Sequence, residues 1–139
     1  MTCHLPRERS YTSKGFVRTT YDVRLASDTV VLTTRSSDRN GPTVTATRRV
    51  PTSDEWRAFW RAASDAGVRR WPAACEDASI LDGGGFTFAL AWADGRRSGD
   101  YVNSFPTQGG VCRGSTSEAT TFVNAVHALA GVTYRSFAP

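Results

Sequence analysis

The sequence predicts an α+β fold: one antiparallel sheet of about five strands with two helices packed on one face, in the order βββαββα. Two groups of alternating apolar and polar residues indicate the strands, and two capped segments with helical apolar spacing indicate the helices. The strands come in groups and not in βαβ units, which favours an antiparallel sheet. The length of 139 residues suits one domain, predicted over residues 15–139 behind a loose polar arm at 1–14.

Three strands are predicted before the first helix. Apolar and polar residues alternate from Val17 to Leu25, which is typical of a half-buried strand. After a turn at residues 26–28, the β-branched segment Thr29–Arg35 predicts the second strand. Residues 36–42 have loop composition, and the Thr-rich segment Val44–Val50 predicts the third strand.

The first helix is predicted over residues 53–66. Thr52 is a suitable N-cap, and Glu55 completes a capping box three residues later. Gly67 supplies the left-handed residue that ends many helices. One apolar stripe follows the cap at helical spacing and consists of Trp56, Phe59, Trp60 and Ala63.

A β-hairpin with one aromatic face is predicted next. The strand 86–93 places its large apolar residues on one face and Thr or Ala on the other, where another element could lie close. Asp94-Gly95 is a favoured hairpin turn, and Arg96–Asn103 is the return strand. The main core is expected between the first helix and the large residues of this strand, which are Phe86, Phe88, Leu90 and Trp92.

The second helix is predicted to begin after Ser115, with Glu118 in a second capping box, and to end at Gly131. Its buried stripe is predicted to be Phe122, Ala125, Val126 and Leu129. A short last strand is expected over residues 132–137.

Three cysteines bear on the compartment. Cys75 and Cys112 lie in loops beside the predicted hairpin, so they are candidates for a disulfide, with free thiols as the alternative. A bond between them would indicate an oxidising compartment. The start of the sequence lacks the pattern of a signal peptide. Cys3 is either a lipid-attachment residue, which would be the only membrane link expected, or an ordinary residue of the arm.

The net charge of +4 is carried almost entirely by arginine, since Lys14 is the only lysine. Arginine doublets occur at 48–49, 69–70 and 96–97, and a shared basic face would suit nucleic acid. Neighbouring residues of a strand point to opposite faces, so strand doublets are expected to separate. Acidic residues interleaved with the arginines favour a solvated, ion-paired surface instead.

Few patterns of catalysis or cofactor binding are present. A cysteine nucleophile needs a base, and His127 lies among apolar residues of the second predicted helix. The His and Cys spacing fits no zinc site, and the acidic residues near Asp82 lack the rhythm of a calcium loop. Glycines 83–85 precede a strand, where no helix N-terminus could bind phosphate. We therefore predict no metal and no cofactor.

Residues 50–131 resemble a group of small, uncharacterised bacterial α+β domains that are often exported or lipid-anchored. The resemblance implies a fold and export, but it carries no activity. It rests on Trp56, Trp60 and Trp71, on Asp82-Gly83 before an aromatic strand, on Gly99, Asn103, Phe105 and Pro106, and on Leu129-Ala130-Gly131.

The expected function is that of an exported, non-enzymatic module that binds another protein or a component of the cell envelope. Aromatic residues outside the predicted core stripes, Tyr134 among them, could form the contact surface. One alternative is a small hydrolase that uses Asp82, Asp100 or Glu76, and a second is nucleic-acid binding through arginine. The candidate binding residues are Trp71, Asp82, Asp100, Tyr101, Asn103 and Phe105.

Overall fold

A computed structural model of the chain has the predicted α+β class, and it describes residues 1–4, 8–12, 15–26, 28–80, 84–92 and 95–132. Within these ranges, neither helix is long and apolar enough to span a membrane. The helices are α1 (Ser53–Asp65) and α2 (Ser117–Ala130), and a 3-10 turn spans Val68–Arg70. The strands are β1 (Thr2–His4), β2 (Glu8–Thr12), β3 (Gly15–Ala26), β4 (Thr29–Asp38), β5 (Gly41–Arg49), β6 (Ala74–Glu76), β7 (Gly85–Trp92), β8 (Gly95–Val102), β9 (Phe105–Pro106) and β10 (Cys112–Arg113).

One mixed sheet forms the first layer, with the strand order β5-β4-β3-β1-β7-β8-β6 and with β2 paired to β3. Its described pairs are antiparallel except for β6, which runs parallel to β8. The expectation of a single sheet of about five strands is wrong, because β1, β2 and β6 also join it and β9–β10 form a separate ribbon. These added strands are too short to show a clear alternation in sequence.

The arm at 1–14, expected to be loose, contributes strands to the sheet. β1 lies between β3 and β7, where Cys3 is opposite Val23 on one side and Phe88 on the other. β2 pairs with β3 along its whole length. In the described part of the chain, β1 is therefore the strand that joins the β3–β4–β5 group to the β7–β8 hairpin.

The longer strands lie where the alternation predicts them. The segment 36–42, predicted to be a loop, is mostly strand, because β4 and β5 stay in register until Asp38 is opposite Gly41. The predicted Asp94-Gly95 turn and the predicted last strand both include residues outside the described ranges.

The cap of α1 is confirmed. The Thr52 hydroxyl accepts a hydrogen bond from the Glu55 amide at 3.1 Å, and the Thr52 amide donates to the Glu55 carboxylate at 2.8 Å. Gly67 follows the helix with φ of 75°, a left-handed value that glycine adopts without strain. The backbone therefore leaves α1 in a defined direction toward the 3-10 turn.

The cap of α2 lies one residue later than predicted. Thr116, and not Ser115, is the N-cap, and its hydroxyl accepts a hydrogen bond from the Ala119 amide at 3.2 Å. Glu118 makes no capping box, because the shift of the N-cap to Thr116 puts Ala119 at the position that a capping-box glutamate needs. Its carboxylate accepts a hydrogen bond from the backbone amide of Gln108. Gly131 ends the helix as predicted.

Both helices pack on one face of the sheet and bury a single core. The two predicted aromatic stripes meet where Trp60 of α1 lies 5.7 Å from Trp92 of β7, between ring centroids. The centre of the interface, however, is occupied by Phe122 of α2, which is 5.3 Å from Phe88 and 5.4 Å from Trp71. On the opposite face of β7, the small residues are exposed and no described element covers them.

Arg49, at the end of β5, connects the two helices. Its guanidinium donates to the Leu129 carbonyl in the last turn of α2 at 2.7 Å, and to the Glu55 carboxylate of the α1 capping box at 2.8 Å. This hydrogen bond is the main reason that the pKa of Glu55 lies below its usual value. Arg49 therefore satisfies a terminal carbonyl of one helix and orients the capping group of the other.

We expect Arg49→Ala to lower the midpoint of thermal unfolding by about 3–5 °C, because both contacts are lost together. Circular dichroism melting measures the effect. Arg48→Ala is the matched control, since Arg48 is exposed on the same strand. Equal midpoints for the two variants would contradict the connecting role of Arg49.

Candidate ligand-binding cleft

Three of the predicted binding residues belong to the core. Trp71, Tyr101 and Phe105 are each no more than 3% exposed. Trp71 lies 5.8 Å from Tyr101, and its indole N–H donates to the Ala66 carbonyl at 2.9 Å. The Tyr101 hydroxyl donates to the Pro72 carbonyl at 2.8 Å. The expectation that these rings form a surface for a partner is therefore corrected: they fill the interior between the sheet and α2.

The two polar candidates that the structure describes, Asn103 and Asp100, lie in a turn and on a strand, respectively. Asn103 has a left-handed φ of 59°, and its side-chain amide donates to the Ile80 carbonyl at 3.2 Å. Both features are typical of an asparagine that stabilises a turn. Asp100 is exposed on β8 beside the edge strand β6, which also carries the exposed Glu76. Asp82 lies outside the described residues.

The disulfide between Cys75 and Cys112 is present and links β6 to β10. Cys75 is buried, whereas Cys112 is exposed. The bond therefore attaches the β9–β10 ribbon, at the strand pair next to its loop, to the edge of the main sheet.

The remaining described candidates for nucleophilic chemistry are buried. Cys3 is 4% exposed within the sheet, and burial raises the pKa of its thiol to about 12. A lipid on this sulfur would require β1 to leave the sheet. His127 is 3% exposed and lies edge-on to the Tyr21 ring, and burial lowers the pKa of its imidazole to about 4. The described residues contain no cluster of three or more metal-ligating side chains.

A concave site is present where α1 ends. A cleft of about 420 Å³ lies between the last turns of α1, the 3-10 turn and the end of β7. The half-buried rings of Trp60 and Trp92 line it, and the buried Ala63 and Val68 form its floor. Two accessible tryptophans in a concavity are a composition typical of binding sites.

Arginine gives this cleft its charge. The Arg69 guanidinium carbon lies 4.8 Å from the centre of the Trp92 ring, a cation–π contact, and Arg70 also lines the cleft. An adjoining notch of about 170 Å³ shares Arg69 and Trp92 with the cleft and adds Arg96 and Arg97. Two of the three arginine doublets therefore meet around one tryptophan.

The far wall of the cleft is the tip of the β9–β10 ribbon. Gln108 lines the cleft there, and its side-chain amide donates to the Asp65 carbonyl at 3.3 Å. Its backbone amide donates to the Glu118 carboxylate at 3.2 Å. A Cβ on Gly67 would lie only 3.0 Å from Gln108, so glycine permits this close approach. The wall is therefore held by α1, by α2 and by the disulfide.

The residues of this cleft are visible in the sequence, but the sequence does not show that they lie together in the fold. For Arg96 and Arg97, the register confirms the prediction that strand doublets separate: Arg97 is opposite Leu90, on the face of Trp92, and Arg96 is opposite Ala91, on the other face, although both residues contribute to the lining of the notch. Arg69 and Arg70 lie on a 3-10 turn, where the alternation rule for strands does not apply. The signal in the sequence that points to this cleft is the position of arginine doublets close to aromatic residues.

Comparison with known proteins adds no further constraint. No protein-family model, curated protein or solved structure matches this chain. The function therefore has to be argued from the cleft itself.

Opening the disulfide should destabilise the fold by about 4 kcal/mol, because the bond closes a loop with a sequence separation of 37 residues. Urea unfolding of the Cys75→Ala/Cys112→Ala variant measures the loss, and a reductant should leave that variant unchanged. Without reductant, the native wild-type protein should show no reactive thiol and the unfolded protein one, from Cys3. Three thiols in the unfolded protein would contradict the bond.

Stability should fall by about 2 kcal/mol between about pH 7.5 and pH 5, because unfolded His127 takes up a proton near pH 6.5 and the folded residue only near pH 4. The contribution of neutral His127 is thus present above pH 6.5 and lost as the pH falls toward 4. Urea unfolding at each pH measures it. The His127→Leu variant should lose most of this slope, and an unchanged slope would contradict the assignment.

Proposed function

We propose that this chain is a protein-binding module that recognises an acidic segment of a partner at the Trp60–Trp92 cleft. The grouping of Arg69, Arg70 and Arg97 around these tryptophans carries the proposal. Arginine and tryptophan dominate binding energy at protein interfaces, and arginine pairs with carboxylates through two parallel hydrogen bonds.

The electrostatic environment supports an acidic ligand. Arg70, Arg96 and Arg97 are exposed, and none of the ion pairs formed among the described residues includes them. Their charge is thus not neutralised by a described carboxylate in contact. A carboxylate entering the notch would meet several guanidinium groups at once, and the concave walls reduce the screening by water.

The shape of the site favours a protein partner over nucleic acid. Single-stranded nucleic acid needs a basic groove that follows its backbone and several rings for stacking. Here the basic residues surround one cleft, and the third doublet lies elsewhere, with Arg49 engaged by α1 and α2. A single short, concave site suits a peptide segment better than a strand of nucleic acid.

We place this activity outside the cytoplasm. The disulfide supports the location, because intrachain bonds of this kind persist in oxidising compartments. The partner would then be an exported protein or a protein component of the cell envelope.

Poly-L-glutamate at low salt is a defined probe for this proposal, and tryptophan fluorescence is its readout. We expect the polymer to change the emission of Trp60 and Trp92. Arg97→Glu should weaken binding by about tenfold or more, because it replaces attraction with repulsion. Arg48→Glu is the control, since it makes the same charge change on an exposed residue outside the cleft.

Three results would overturn the proposal. The first is no binding of poly-L-glutamate at low salt, and the second is equal weakening by both variants. The third is tighter binding of an oligothymidylate with a steep dependence on salt, which would indicate a nucleic-acid site instead.

A further inference from the structure

We infer that the cleft recognises two neighbouring groups of its ligand: an aromatic side chain, which enters the larger cavity, and a carboxylate, which enters the notch. The inference rests on the proposed function and specifies the chemistry of the acidic segment. It follows from the different linings of the two cavities and from the wall that they share.

The larger cavity suits a ring. Its floor is Ala63 and Val68, which are each 1% exposed, and the two tryptophan rings stand at its side. Aromatic pairs gain about 0.5–1.5 kcal/mol beyond the burial of their surface. Polar groups occur at the rim, where Ser64 and Gln108 could meet the hydroxyl of a tyrosine.

The notch suits a carboxylate. It is less than half the size of the larger cavity, and it is lined by three arginines, one tryptophan and Gly95. The planar guanidinium fork of Arg97, on the same face of the sheet as Trp92, matches the geometry of a carboxylate, whereas an uncharged side chain would leave it without compensation.

The shared wall sets the spacing of the two features. Arg69 and Trp92 line both cavities, so the ring and the carboxylate lie on either side of one stacked pair. In a peptide, this corresponds to adjacent residues or to residues separated by one position. Arg69 contributes to both cavities. Its guanidinium lies over the Trp92 ring, and the same residue lines the notch.

The site is held in place before a ligand arrives. α1 stops at a left-handed glycine, and Gln108 on the opposite wall is tied to Asp65 and to Glu118. The disulfide fixes the ribbon that carries this wall to the edge of the main sheet. A preformed site loses less entropy on binding, which allows a short motif to bind measurably.

The test compares alanine-based hexapeptides with blocked ends, by fluorescence titration of the disulfide-bonded protein. One peptide carries two glutamates, two others of the same charge add a tyrosine next to a glutamate or one residue away, and an uncharged peptide carries tyrosine without glutamate. We expect a tyrosine-containing peptide to bind about tenfold more tightly than the glutamate-only peptide. Tyrosine without glutamate should bind weakly.

A variant that fills the larger cavity separates the two features. Ser64 is exposed on α1, so Ser64→Phe should fold, which circular dichroism verifies. This variant should lose the gain from tyrosine, so that the tyrosine-containing and glutamate-only peptides bind to it with equal affinity. Ser53→Phe, at an exposed position in the first turn of the same helix, should behave as the wild type.

The outcomes distinguish this inference from the proposed function. If the glutamate-only peptide and poly-L-glutamate bind but tyrosine adds nothing, the two-feature motif is wrong and the acidic module stands. If tyrosine improves binding equally in Ser64→Phe, the ring binds elsewhere and the motif is also wrong. If no acidic peptide or polymer binds, both proposals fail.

Discussion

The packing of Phe122 onto the aromatic face of β7 is the contact on which the rest of this structure depends. The ring is fully buried and lies within 6.0 Å of Phe86, Phe88 and Trp71, measured between centroids. Each aromatic pair contributes modestly to the free energy of folding, but these pairs share the Phe122 ring, so none of them can rearrange without the others. This contact fixes the distance between α2 and the sheet, and α1 then packs beside α2.

The cleft exists because this aromatic face extends beyond the helices that cover it. Phe86, Phe88 and Leu90 are enclosed, whereas Trp92, at the end of the same face, is only half-buried. α1 stops at Gly67, so no helical turn continues over the Trp92 ring. Arg69, in the turn that follows, covers part of the ring with its guanidinium. The same alternation that builds the core thus supplies the tryptophan at its rim.

The features that could be predicted from the sequence are those set by local rules. Thr52, Glu55 and Gly67 specify α1 through its caps, and alternation specifies β3, β7 and their partners. The N-cap of α2 is predicted one residue early, because Ser115 and Thr116 are both acceptable caps. The structure uses Thr116, whose hydroxyl accepts from the Ala119 amide and donates to the Pro106 carbonyl.

The features that could not be predicted depend on distant residues. Trp71 follows a helix and has the sequence context of an exposed loop residue, yet α2, which begins more than 40 residues later, buries it. β6 has three residues and is recognisable only beside β8. The cleft also depends on distant residues. Its arginines come from a turn and from the end of a hairpin, and these two segments come together only in the folded protein.

The central position of β1 makes the assembly of the sheet a long-range event. Cys3 is paired with Phe88, about 85 residues away in the chain, and the two halves of the sheet meet through this strand. Bringing such distant segments together costs loop entropy before any pairing energy is returned, and folds of this topology form slowly. Until β7 arrives, one edge of β1 or β3 is open to pairing with another chain. The early folding of this protein is therefore the stage at which self-association competes most directly with the native fold.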